Sequence, residues 1–356
     1  MTMPPPSGKR VVADALAGRA VPRCPVGPLA VHYCARRCGV SVREYTTDPC
    51  VLADCVLRYY EAFRPDAVWI SADTWVTAEA MGARVAFPGD DQPLGGRGEP
   101  LVRGPADVDR ISPADPNSQG RMPLLLEALR LVHQAIGEET FVVACFDQFP
   151  FSRATSLMGI DRALTAMIDD PPFLEALMER CLEYAAAYAR ALAEAGAAML
   201  SGGDSPAGLI GPGRYRSVAL PFARRLVAEL KTATALPVSM HICGDATGLL
   251  PDMAATGADV LELDHQVDLR RAGTVLGPEV GIWGNLDPVD LLSRGSPDDV
   301  RRAVREALSA VAEKGHRRFV LSSGCTLAME TPAENLHALF DEPRPFASRP
   351  AEETVE

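Results

Sequence analysis

Short apolar runs rich in β-branched residues recur at residues 26–31, 67–70, 141–145, 198–201, 238–242, 260–263, 280–283 and 318–321. Between them lie amphipathic or alanine-rich stretches, among them 50–63, 122–136, 172–195, 213–234 and 296–314, which predict helices. A run that is apolar throughout and leads into a helix marks a strand of a parallel sheet covered on its outside. Eight such units favour closure over an open doubly wound sheet, so the pattern predicts a single (β/α)8 TIM barrel. No GxGxxG or GxxxxGKS/T sequence follows any of the strands, which argues against a Rossmann or P-loop fold.

One segment breaks the rhythm. Residues 89–117 are rich in Gly, Pro and Asp and read as a long loop, a candidate lid, between the second and third predicted strands. Residues 1–9 and 347–356 are expected to be disordered. The expected organisation is an N-terminal extension over 1–20, the barrel over 21–345 and a disordered tail over 346–356. Beyond the strand–helix alternation there is no internal repeat and no sign of a second domain.

A length of 356 residues suits one barrel of this class, and a hydrophobic fraction of 47% supports a large core. No uncharged apolar run is long enough to span a membrane, and the opening MTMPPPSGKR holds no apolar signal segment. A soluble cytoplasmic protein is the expectation. The net charge of −12 comes without any Lys/Arg stripe, so nucleic acid is set aside as a partner. Nine cysteines in a reducing compartment read as free thiols, to be divided between ligands and fillers. Cys50, Cys55, Cys145 and Cys181 stand alone among apolar residues and read as inert packing.

Barrel enzymes carry their chemistry at the C-terminal ends of the strands, and polar residues gather there in this chain. Asp73, Asp147 and Asp204 follow the second, third and fourth predicted strands, and His241 and Cys243 end the fifth. Glu262 and Asp264 end the sixth, Asn285 and Asp287 follow the seventh, and Cys325 follows the eighth. The sharpest feature is His241-Ile242-Cys243-Gly244. Residues two apart on a strand point to one side, so both side chains can face the axis, on the same rim as Cys325. One imidazole and two thiolates are a good donor set for zinc. Spacing alone leaves open a plain core pair with a buried filler. His32, Cys34 and Cys38 read mainly as packing on a short helix, with pocket lining or a second soft-metal site as alternatives.

Several stretches resemble the uroporphyrinogen decarboxylase superfamily and, within it, the zinc-dependent methylcobamide:thiol methyltransferases. They are Ser71-Ala72-Asp73, Asp204-Ser205-Pro206, Leu209-Ile210-Gly211-Pro212, Tyr215-Arg216, His241-Ile242-Cys243-Gly244, Gly257-Ala258-Asp259 and Gly284-Asn285-Leu286-Asp287-Pro288. Gly324-Cys325 and Thr331-Pro332-Ala333-Glu334-Asn335-Leu336 complete the set, in family order, from about Val21 to Leu339. The His-x-Cys … Cys pattern resembles that branch's zinc motif, which the decarboxylases lack. The resemblance implies zinc at His241, Cys243 and Cys325. Asp264 is favoured over Glu262 as a fourth ligand, because cobalamin-independent methionine synthase, a distant relative, has an acid at about that place. His265, one step out of phase, is expected behind the ligands or exposed.

A methyltransferase of this kind moves a methyl group between a methylcorrinoid and a thiol, or a similar soft nucleophile such as a selenium or arsenic compound. Asp73 and Tyr215 are its candidate catalytic side chains, and Asp73, Asp204 and Asn285 its candidate corrinoid contacts. Asp73 matches a decarboxylase aspartate that contacts the substrate's pyrrole nitrogens; capping the helix that begins near Trp75 is the alternative. Tyr215 has helix-start packing as its alternative. The chain lacks an Asp-x-His-x-x-Gly corrinoid-binding motif, so the donor is expected to be a separate corrinoid protein or free methylcobalamin. An oligomer is compatible with all of this. The chain also departs from the decarboxylases: their arginine motif near the first strand is not reproduced in Val31-His32-Tyr33-Cys34-Ala35-Arg36-Arg37. Tetrapyrrole decarboxylation therefore stands second, and a non-catalytic corrinoid-binding barrel third.

Overall fold

The computed structural model describes residues 6–88, 91–96 and 98–342. Seven strands form one curled, wholly parallel sheet in chain order. They are β1 (Ala67–Ile70), β2 (Phe141–Gln148), β3 (Met199–Gly203), β4 (Val238–Ile242), β5 (Val260–Leu263), β6 (Gly281–Leu286) and β7 (Phe319–Ser323). Each coincides with a predicted apolar run, and helices cover the outside, including Pro49–Phe63, Met122–Ile136, Pro171–Glu194, Pro297–Glu313 and Ala333–Asp341.

The first predicted strand is not a strand. Of residues 26–31, only Val26 makes a bridge, to Leu321, and the chain then enters the helix Val31–Cys38. Pro25 and Pro28 have no N–H to give to a ladder, which limits the pairing. What remains bonds to both edges of the sheet. Gly27 N donates to Leu321 O at 3.0 Å, Leu321 N to Pro25 O at 2.9 Å, and Asp66 N to Val26 O at 2.9 Å.

Two further expectations change. The stretch 213–234 is not one helix but Gly211–Arg214, a π turn over Tyr215–Ala219, and Leu220–Thr234. Pro221 cannot donate to Ser217, so the ladder loosens there, and Leu220 N bonds Tyr215 O instead. Of residues 1–9, expected to be disordered, Gly8 and Lys9 begin a helix, Gly8–Leu16, capped by Ser7. Residues 1–5, 347–356, 89, 90 and 97 lie outside the described residues. Within the expected lid, Leu94–Gly95 pairs with Val85–Ala86 just before it, and Pro105–Val108 forms a short helix. Val102 N ties it to Leu157 O at 3.1 Å.

The core divides in two. Most apolar side chains lie between sheet and helices. A second cluster joins Ala67, Trp69, Phe141, Val143, Met199, Val260, Trp283 and Val320, with Val12 of the N-terminal helix and Leu29. These strand residues occupy one alternate phase, the inner face, at the N-terminal ends of the strands. Trp69 and Trp283 meet edge to face at 5.8 Å. Further along the same phase come Ser71, Cys145, Ser201, Ser239, His241, Glu262, Asn285 and Ser322. The inner face is thus apolar toward the strand starts and polar toward their ends. No helix among the described residues is long and apolar enough to cross a membrane.

Candidate metal centre

His241 is the penultimate residue of β4, Cys243 follows that strand, and Cys325 lies two residues beyond β7. Their donor atoms lie within 4.8 Å of one another, the only such group of three or more metal-capable side chains among the described residues. His241 Nε2 is 2.9 Å from Cys243 Sγ, which is 3.9 Å from Cys325 Sγ. His241 Nδ1 is 2.9 Å from the Glu262 carbonyl. A carbonyl only accepts, so Nδ1 carries a proton and Nε2 is the nitrogen offered to the centre. Cys243 is exposed and Cys325 partly so, which leaves the sulfurs open to solutes.

Electrostatics separate the two thiols. A hydrogen bond from Cys325 pulls the Cys243 thiol down to about 7, and the same bond pushes Cys325 up to about 12. Burial acts to lower the pKa of His241, but its bond and charge interaction with Cys325 outweigh it, leaving about 9. The donor set and its spacing fit a soft divalent metal such as zinc.

Neither proposed fourth ligand joins this group. Glu262 Oε1 accepts from Ser201 Oγ at 2.7 Å and from Ser239 Oγ, and burial raises its pKa. Asp264 Oδ2 accepts from Gly244 N at 2.9 Å and Oδ1 from Gln266 N at 3.0 Å. His265 lies between Asp264 Oδ1 at 3.1 Å and Asp287 Oδ2 at 3.4 Å.

The other singled-out residues are engaged elsewhere. Asp73 pairs with Arg121, which also holds Glu79, and its Oδ1 accepts from Trp75 N at 2.7 Å, close to the capping alternative. Tyr215 is buried, its hydroxyl 3.7 Å from the Met240 sulfur. Asn285 Nδ2 donates to Asp264 O at 2.9 Å and Val267 O at 2.6 Å, fixing the turn after β5. Asp204 N donates to His241 O at 2.7 Å. Its Oδ1 accepts from Ser152, Oδ2 has no partner, and burial raises the carboxyl to about 7. His32 Nε2 is 2.6 Å from Ala72 O, and the buried Cys34 donates to Ala30 O at 2.6 Å. These two and Cys38 do not assemble a metal-capable group. Cys50, read as packing, is exposed at the start of its helix, whereas Cys55 and Cys181 are buried.

Sequence reading missed two buried arginines. Arg153 pairs with Asp147, whose backbone takes a positive φ of 84° beside the irregularity in the β2–β3 register. Arg121 holds Asp73. The available signal was an arginine in the otherwise uncharged stretch Pro150-Phe151-Ser152-Arg153-Ala154.

Comparison with known proteins gives the class. The chain matches the uroporphyrinogen decarboxylase (URO-D) family over residues 8–345 and belongs to that family of enzymes. Among its relatives, a uroporphyrinogen decarboxylase from Syntrophotalea carbinolica is 30% identical, over 92% of this chain and 95% of the relative. A methylcobamide:CoM methyltransferase from Methanosarcina acetivorans is also 30% identical, over 78% of each chain. A methyltransferase structure from Methanosarcina mazei superposes with a TM-score of 0.85 at 24% identity, covering 95% of this chain and 98% of that one. Identity does not choose between the two activities.

Proposed function

We propose that this protein is a zinc-dependent methyltransferase that moves a methyl group between a methylcorrinoid and a thiol or similar soft nucleophile. The observation that carries the reading is the convergence of His241, Cys243 and Cys325 from two strand ends 82 residues apart in sequence. The methyltransferase relative supports it. We read residues 25–27 as the reduced eighth stave of a (β/α)8 barrel whose mouth holds this site.

A zinc ion held by these three side chains would act as a Lewis acid that keeps the acceptor's sulfur as a thiolate at neutral pH. The chain's part is positional. The Glu262 carbonyl fixes the imidazole, and the Ser205 hydroxyl accepts from Cys243 N at 3.2 Å, steadying the turn that carries that sulfur. In that transfer the acceptor sulfur would bond the methyl carbon, and the corrinoid would leave with the electron pair of the broken cobalt–carbon bond. The donor is a separate corrinoid protein or free methylcobalamin.

Decarboxylation of a tetrapyrrole is the second reading, favoured by the decarboxylase relative that spans nearly the whole chain. The two part on measurement. The methyltransferase reading expects about one zinc per chain, and methylcobalamin demethylation that depends on an added thiol and is lost in Cys243→Ala. Metal-free protein that decarboxylates a tetrapyrrole would sink it.

A further inference from the structure

We infer that the acceptor's non-reacting end is neutral or cationic, and that a thiol ending in an anion is disfavoured. The inference rests on the reading that His241, Cys243 and Cys325 hold a metal that binds the acceptor's sulfur, and it deepens that reading.

Both sulfur-bearing turns abut one acidic corner. Gly244, next to Cys243, donates its N–H to Asp264 Oδ2 at 2.9 Å. Gly324, next to Cys325, packs so closely that a Cβ there would lie 2.5 Å from His265 N and 3.1 Å from the Asp264 carbonyl carbon. Asp287 joins through His265 Nε2 at 3.4 Å, and Asp245 follows Gly244 with its carboxylate at Thr247 N, 3.0 Å away. Asp264 and Asp287, bridged by His265, therefore form an acidic corner against the turns that carry the sulfurs, with Asp245 next to it along the chain. Against them are the His265 imidazole, spanning two of the acids, and Arg271, whose charge is felt at Asp245.

The buried cations are already committed. Arg121 and Arg153 are the only buried arginines among the described residues, and no lysine is buried. Arg121 is held by Asp73 and Glu79, and Arg153 by Asp147. Guanidinium and ammonium groups are the strongest donors to a sulfonate or carboxylate, and these two arginines are engaged. A tail leaving the sulfurs along this corner meets carboxylates instead, and like charges at close range disfavour an anion.

The test uses three two-carbon thiols that differ at the far end: thiocholine, 2-mercaptoethanol and 2-mercaptoethanesulfonate. The protein is loaded with cobalt(II), and each thiol is titrated against the sulfur-to-cobalt charge-transfer absorption. Thiocholine and mercaptoethanol are expected to bind at least about tenfold more tightly than the sulfonate, and Asp287→Asn to narrow that gap several-fold. Equal binding of all three, or a preference for the sulfonate, overturns the inference while leaving the methyltransferase reading in place. Failure to take up cobalt at all overturns the metal-centre reading and this inference with it.

Discussion

At the scale of single residues, the centre is an assembly of protons waiting to be displaced. Between pH 7 and 9 Cys243, at about 7, is largely thiolate, whereas His241, at about 9, and Cys325, at about 12, hold their protons. A metal ion takes the deprotonated donors. Zinc binding in that window should therefore release about two protons, and apparent affinity should rise by roughly 100-fold per pH unit. The slope should steepen below pH 7, where Cys243 is protonated too. Calorimetry in buffers of different ionisation enthalpy counts the protons; release of fewer than one would remove these side chains as the ligand set. The three donors were legible because residues two apart at a strand end face one side, and because Cys325 follows the last predicted strand on the same rim; the resemblance then tied them to one motif. The ion pairs Asp73–Arg121 and Asp147–Arg153 were not legible. The acids stood out at strand ends, but their partners sit on helices whose approach the chain pattern does not encode. Asp73 and Asp147 looked free on paper and are paired in the fold.

At the scale of elements, short strands announced themselves well: 67–70, 238–242 and 260–263 were bounded as they occur. Two of the failures share one cause, proline. Pro25 and Pro28 starve the first predicted strand of donors, and Pro221 breaks what reads as one helix. Residues 25–27 still link β1 to β7, and Gly27 permits it. A Cβ there would sit 2.8 Å from Ala67 Cβ and 2.9 Å from Trp283 Cζ2. Gly27→Ala should overpack this seam and destabilise the fold by about 1–3 kcal/mol, read as a lower urea midpoint with an unchanged slope. Stability equal to the parent would mean the seam does not constrain the sheet.

At the scale of the whole molecule, the pattern of charge and polarity was legible in outline but not in depth. The net charge of −12 argued against a basic interface, yet gave no sign that the inner face divides into an apolar half and a polar half. That division follows from strand phase, which only becomes spatial when the sheet curls. Its apolar half is filled: Trp69 against Trp283, with Val12 from the N-terminal helix packed in the same cluster. If residues 25–27 close the barrel as proposed, a base filled in this way leaves one doorway. Under the methyl-transfer reading, a small acceptor and a corrinoid many times its bulk must use that doorway in turn, the small one first. Initial-rate kinetics should then show compulsory order, with the corrinoid failing to reach a productive complex until the thiol is seated; random-order kinetics would mean that a second way in exists.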